Sequence, residues 1–271
     1  MTLLHLAHAA YHTLRICVPT VIESALGSLT TETCDARLDG WSRAIVRFAR
    51  VTIETEGLEN APLDEAFVVM SNHQSHYDIP VLFQALRPRR LRMVAKKELF
   101  RLPIWTGAMR AAGFVEVDRS NRIAAMRSLD RAREALAAGT SIWIAPEGTR
   151  SPTGQLGAFK KGGFHMAAAA ARILPVSVDG TRRILPAKGR RVENGHTVRV
   201  RVHPPIDPRG RELAEITSEV RASILAGLPV AKALAPAQPA PDADDEGPLN
   251  GPRGHVDAVD LGHRSDGEPP E

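Results

Sequence analysis

An apolar run, Val68-Val69-Met70, ends in Ser71-Asn72-His73, and a carboxylate, Asp78, follows five residues after the histidine. General-base chemistry near neutral pH suits an imidazole, whose unperturbed pKa lies closest to the operating pH. It also needs an acidic partner to fix tautomer and ring direction. His73 and Asp78 are residues of those two types. Side chains five apart on an ideal helix point in different directions, so the pair meets only if the chain turns from strand to helix between them. Gln74 and Ser75 are polar residues suited to that turn. No serine or cysteine is visibly paired with His73, a pattern that fits activation of a hydroxyl brought by a substrate. His73, His76 and Asp78 could also be drawn as a metal site. Two imidazoles and one carboxylate inside one turn make a poor cage, and neither a metal nor another cofactor is expected.

Three further blocks follow strand-like runs. Gly113-Phe114-Val115-Glu116-Val117 runs out into Asp118-Arg119. The Arg119 guanidinium matches phosphate oxygens, or it forms an ion pair with Asp118. Ile142-Trp143-Ile144-Ala145 breaks at Pro146 and releases Glu147, Gly148, Thr149 and Arg150 in succession. That supplies an acceptor, a backbone a ligand can approach closely, a hydroxyl and a cation. Phe159-Lys160-Lys161-Gly162-Gly163 opens an Ala-rich helix, where free amides and the helix dipole favour an anion; the same residues also make an ordinary loop. Ile173-Leu174-Pro175-Val176 follows. There is no G-x-S-x-G elbow, Walker loop, G-x-G-x-x-G or H-E-x-x-H.

These blocks must be held by a scaffold, and hydrophobic periodicity predicts one. Short β-branched runs at 51–55, 67–71, 92–95, 114–117, 141–145, 173–178 and 197–202 alternate with helical patterns at 79–86, 121–138, 164–172 and 211–228. Such alternation implies a single α/β domain over 51–230 with a largely parallel sheet flanked by helices. In sheets of this kind the ligand crevice lies beyond the strands' carboxyl ends, where all the blocks fall. A helical pair over 1–50 precedes it. Its first helix is predicted to end before Pro19, and the second carries Leu38, Trp41, Ile45 and Phe48 at helical spacing.

The chain has 271 residues, 43% of them hydrophobic. Of its charges, 32 Lys/Arg stand against 22 Asp/Glu before Ala231, and three against nine after it. The basic surplus of the folded part suits an anionic partner. An aromatic content of 4% and the lack of a reading motif argue against nucleic acid. Residues 231–271, rich in Ala, Pro and acidic side chains, read as a disordered tail. Cys17 and Cys34 form no metal or disulfide framework pattern. The apolar Met1–Ile22 stretch carries His5, His8, His12 and Arg15, lacks a cleavage site, and reads first as an interfacial helix, then as a helix packed on the domain or a membrane span, rather than as a signal peptide. The run from Arg87 through Lys96, Lys97, Arg101, Ile104 and Trp105 mixes cations with apolar side chains, as at an anionic membrane surface or in a solvated basic face with Trp105 buried.

Together, N-H-Q-S-H-Y-D, G-F-V-E-V-D-R, P-E-G-T-R and I-L-P-V, in this order, resemble the four motifs of the glycerolipid acyltransferase family, which includes bacterial 1-acylglycerol-3-phosphate acyltransferases. The resemblance implies that His73 is the base and Asp78 its charge-balancing partner, acting on an acyl thioester donor (acyl-CoA or acyl carrier protein) and a lysophospholipid acceptor. It further implies that Arg119, Glu147, Gly148, Thr149 and Arg150 help bind glycerol phosphate and that Pro175 belongs to a block shaping the acyl or acceptor pocket. It places the protein at the cytoplasmic face of the membrane, peripheral or singly anchored. Ala145 stands where the family usually has an aromatic residue. Two rival readings are an acyltransferase for another lyso-lipid, such as a lyso-aminolipid, and a catalytically silent lipid-binding protein.

Overall fold

The computed structural model describes residues 2–96, 103–117 and 122–229. All seven predicted strands are present: β1 (Thr52–Glu56), β2 (Val68–Ser71), β3 (Leu91–Lys96), β4 (Val115–Val117), β5 (Ser141–Ile144), β6 (Ile173–Asp179) and β7 (Thr197–Val202). They form one sheet in the order β1-β7-β6-β2-β5-β3-β4. Every pairing is parallel except β6 with β7. The carboxyl ends of β2, β3, β4, β5 and β6 therefore share one edge, and β1 and β7 start there.

The central strands β2, β5 and β6 are buried along their whole length, as expected where helices cover both faces of a parallel sheet. Alternation divides their side chains between two cores. Val69, Trp143, Leu174 and Val176 pack with helices α2 (Thr31–Phe48) and α3 (Asp78–Ala85). Val68, Met70, Ile142 and Ile144 pack with α5 (Arg122–Ala137), α6 (Gly162–Ala170) and α8 (Leu213–Ala226). Gln84 of α3 donates to Asp39 and Ser42 of α2, fixing the helix that starts with Asp78.

Helix α1 (Thr2–Ala25) does not stop before Pro19 but runs through it. A proline removes one backbone hydrogen bond and crowds the preceding turn, and polar ties beyond it hold the second half. The Thr20 hydroxyl donates to the Ile16 carbonyl at 2.7 Å and accepts from Arg37 of α2 at 3.0 Å. Arg37 also pairs with Glu23 at 2.5 Å. Among the described residues, no helix is long and apolar enough to cross a membrane.

The first half of the basic run is also tied into the fold. Arg87 pairs with Asp39, Arg90 with Glu32 and Asp35, and buried Arg92 with Asp35. Arg89 donates to the carbonyls of Ala61, Pro62 and Glu65. These arginines fasten α2 and the β1–β2 connection to the sheet. Trp105 lies on helix α4 (Pro103–Ala111), which the sequence had not marked as a helix, and packs against Ala95 and Met109. Lys97 and Arg101, and the tail at 231–271, lie outside the described residues.

Candidate active site

The end of β2 is locked before the site begins. The Asn72 side-chain amide donates to the Val178 carbonyl and accepts from the Val178 amide, both at 2.8 Å. It thus adds one rung to the β2–β6 ladder beyond Ser71. The chain then turns into α3, and the turn closes His73 onto Asp78: Nδ1 lies 2.7 Å from Oδ2. The same oxygen accepts from the amides of Gln74 at 2.7 Å and Ser75 at 2.9 Å.

Asp78 is the first residue of α3, where the helix dipole favours a carboxylate. Its side chain is fully buried, while that of His73 is 16% exposed. With Nδ1–H donating to the carboxylate, Nε2 is the nitrogen left to accept a proton. The Trp143 indole meets the imidazole edge to face, with centroids 5.5 Å apart and planes at 85°. Its own N–H donates to the Ser71 hydroxyl at 2.9 Å.

The loop after β5 folds against this turn. Gly148 sits at φ +72°, a conformation that other residues adopt with strain, and its amide donates to the Ala145 carbonyl at 3.0 Å. Ser151 N–H donates to the His73 carbonyl at 2.7 Å, Lys160 N–H to the Pro146 carbonyl at 2.8 Å, and the Gln74 side-chain Nε2 to the Gly154 carbonyl at 3.2 Å.

Both oxygens of Glu147 are engaged by backbone amides of the protein itself. Oε1 accepts from the His73 amide and Oε2 from the Gly157 amide, each at 2.8 Å. The side chain is buried, and desolvation pushes its pKa up to about 7, against the opposing influence of those two amides and of His73.

Thr149 is exposed and Arg150 half-buried beside the turn. The side chain of His76 reaches solvent, yet its pKa falls to about 4, first from desolvation by the surrounding protein and then from the neighbouring Arg150 and His73. Arg150 thus lies near the His76 imidazole. Pro175 is buried within β6, in register with Met70. Arg119 lies outside the described residues. Among the described residues, no cluster of three His, Cys, Asp or Glu could hold a metal ion.

Reading the motifs as substrate contacts missed the parts played by Asn72, Trp143 and Gly157. Asn72 could have been found from its place, since a buried strand ending in an amide needs a partner for it. Gly157 is fixed by a tertiary contact and leaves no sequence signal.

Comparison with known proteins agrees with this architecture. A family profile described as Acyltransferase matches residues 52–179. The chloroplastic 1-acyl-sn-glycerol-3-phosphate acyltransferase of Arabidopsis thaliana is 36% identical over 185 residues, spanning 68% of this chain and 50% of that protein. The 1-acyl-sn-glycerol-3-phosphate acyltransferase of Pseudomonas aeruginosa is 31% identical over 194 residues, spanning 68% of this chain and 74% of its own. The crystal structure of the 1-acyl-sn-glycerophosphate acyltransferase PlsC from Thermotoga maritima superposes with a TM-score of 0.67 at 26% identity, covering 83% of this chain and 95% of that one. The chain spans only about half the length of the plant relative. In fold, motif order and sequence, the chain belongs to the acyltransferase family that includes the 1-acyl-sn-glycerol-3-phosphate acyltransferases.

Proposed function

We propose that this enzyme transfers a fatty acyl group from an acyl thioester, acyl-CoA or acyl carrier protein, to the sn-2 hydroxyl of 1-acyl-sn-glycerol 3-phosphate, giving phosphatidic acid. The observation that carries the reading is the His73 imidazole held 2.7 Å from a fully buried carboxylate at the sheet's carboxyl edge. Nε2 takes the hydroxyl proton as the oxygen attacks the thioester carbonyl. Collapse of the tetrahedral adduct breaks the carbon–sulfur bond, and the imidazolium returns its proton to the leaving thiolate. Asp78 stabilises the imidazolium that exists between those steps. General-base help contributes about 10²–10⁴-fold, so alignment of thioester and alcohol supplies much of the remainder. Arg150, and Arg119 by family likeness, hold the acceptor's phosphate.

The lipid acceptor places the enzyme on an anionic membrane surface at the cytoplasmic face. In support, α1 exposes Leu3, Leu4, Leu6, Tyr11, Leu14, Val18 and Ile22. The start of α1 reaches the site's edge of the sheet, because His5 lies 2.8 Å from Asn194 in the loop that leads into β7. Lys188, Arg190 and Arg191 are exposed on that loop. A helix with an apolar outer face beside cations suits an interface.

Thiol release from oleoyl-CoA, measured with 1-oleoylglycerol 3-phosphate, with other lyso-lipids and with no acceptor, tests the reaction. Release that requires the phosphate monoester and yields phosphatidic acid is expected. Equal release without an acceptor means a thioesterase and contradicts the proposal.

A further inference from the structure

Arg221 lies on α8, far in sequence from every block that carries chemistry, yet its guanidinium faces the loop that closes the site. Nη1 donates to the Gly157 carbonyl at 2.5 Å and Nη2 to the Leu156 carbonyl at 3.1 Å, with the charge 5.5 Å from the centroid of the Phe159 ring. We propose that Arg221 is a positioning residue for His73, acting through Gly157 and Glu147. The proposal rests on the general-base reading given above.

The chain of contacts is continuous. Arg221 fixes the carbonyls on either side of the Gly157 amide; that amide holds Glu147 Oε2 at 2.8 Å; and Glu147 Oε1 holds the His73 amide at 2.8 Å. The fit is close, because a Cβ added to Gly157 would come within 3.0 Å of Glu147 Oε2. Within 151–160, Leu156 is the fully buried apolar side chain, so polar ties hold the segment in place. Arg182 adds one from α7 (Thr181–Ile184), donating to the Pro152 carbonyl at 3.0 Å. A forked guanidinium that grips two successive carbonyls and stacks on an aromatic ring is a role lysine fills only in part.

Without the guanidinium, the Gly157 amide loses its fixed place and Glu147 loses one of two bonds that favour its ionised form. Of the charged groups acting on Glu147, His73 favours ionisation and Asp78 opposes it. A weaker amide contact therefore raises the Glu147 pKa beyond its present value of about 7. Protonation then disturbs the His73 backbone at neutral pH.

The test is acceptor-dependent transfer from oleoyl-CoA to 1-oleoylglycerol 3-phosphate between about pH 6 and about pH 9. It compares wild type, Arg221→Met, Arg221→Lys, Glu147→Gln, the Arg221→Met/Glu147→Gln double variant and His73→Ala. Arg221→Met is expected to lower kcat about tenfold near neutral pH with both KM values within about twofold, more at the acid end than at the alkaline end. Lysine restores part of the loss, and in the Glu147→Gln background the arginine change costs little more. Wild-type kcat in Arg221→Met, a loss confined to KM, or a pH-independent loss that adds in full to that of Glu147→Gln overturns the clamp. If the methionine variant melts below the assay temperature, Arg221→Lys decides: a pH-independent kcat contradicts the proposal and a steeper acid limb supports it. An active His73→Ala enzyme defeats the general-base reading itself, whereas a dead one beside a fully active Arg221→Met enzyme defeats the clamp alone.

Discussion

Two buried carboxylates hold one histidine by its two ends. Asp78 meets the ring of His73 and accepts two further amides on the same oxygen at the start of a helix. Glu147 meets the backbone amide of His73 and spends its other oxygen on Gly157. Asp78 reaches His73 through a short turn of its own segment, whereas Glu147 ties together segments from β2 and β5. Glu147 thus holds the proposed base by its backbone, without touching its ring. In the proposed mechanism Asp78 balances the charge that forms on His73, and Glu147 sets where that residue lies.

Breaking the ring contact should have the larger effect. Asp78→Asn preserves shape but reverses the hydrogen-bond preference of the partner to Nδ1, and kcat should fall about 10³–10⁴-fold with little change in either KM. Steady-state kinetics in both substrates checks this; a loss below about tenfold would leave the two acids indistinguishable.

Glu147→Gln keeps one acceptor and turns the other oxygen into a donor facing an N–H, and should lower kcat about 10–100-fold. It should also change stability with a defined sign. The Glu147 pKa rises from 4.5 to about 7 in the folded protein. Across that window the folded state keeps a proton that the unfolded chain has released, so stability falls as pH rises. The effect is on the order of 3 kcal/mol in all. Thermal melts of both proteins should thus move in favour of Glu147→Gln between about pH 5 and about pH 8. A Tm difference that does not vary with pH would show that Glu147 is ordinary in its titration.

Arg150→Ala should give the smallest effect, raising KM for the lysophosphatidic acceptor about tenfold with kcat nearly unchanged. A change confined to the acyl donor would assign Arg150 to the other substrate and remove it from the comparison.

Much of this was legible in the sequence. The seven strands were visible because β-branched runs alternate with helical patterns, and His73 with Asp78 because a base and an acid bracket one turn. What escaped depends on tertiary partners. The helix break expected at Pro19 fails because Thr20 and Arg37 bind across it. The Arg87–Arg92 run reads as a membrane surface, and its ties to Asp35, Asp39 and carbonyls of the β1–β2 connection, with Arg92 buried and Arg87 left exposed, depend on distant partners. Arg221 carries no local signal, since its partners lie more than 60 residues away.

The most direct test of the central claim is His73→Ala assayed beside wild type for acceptor-dependent thiol release from oleoyl-CoA, with circular dichroism and melting to verify the fold. A folded protein with turnover lower by at least about 10²-fold is expected. A folded His73→Ala enzyme with near wild-type kcat would contradict that claim.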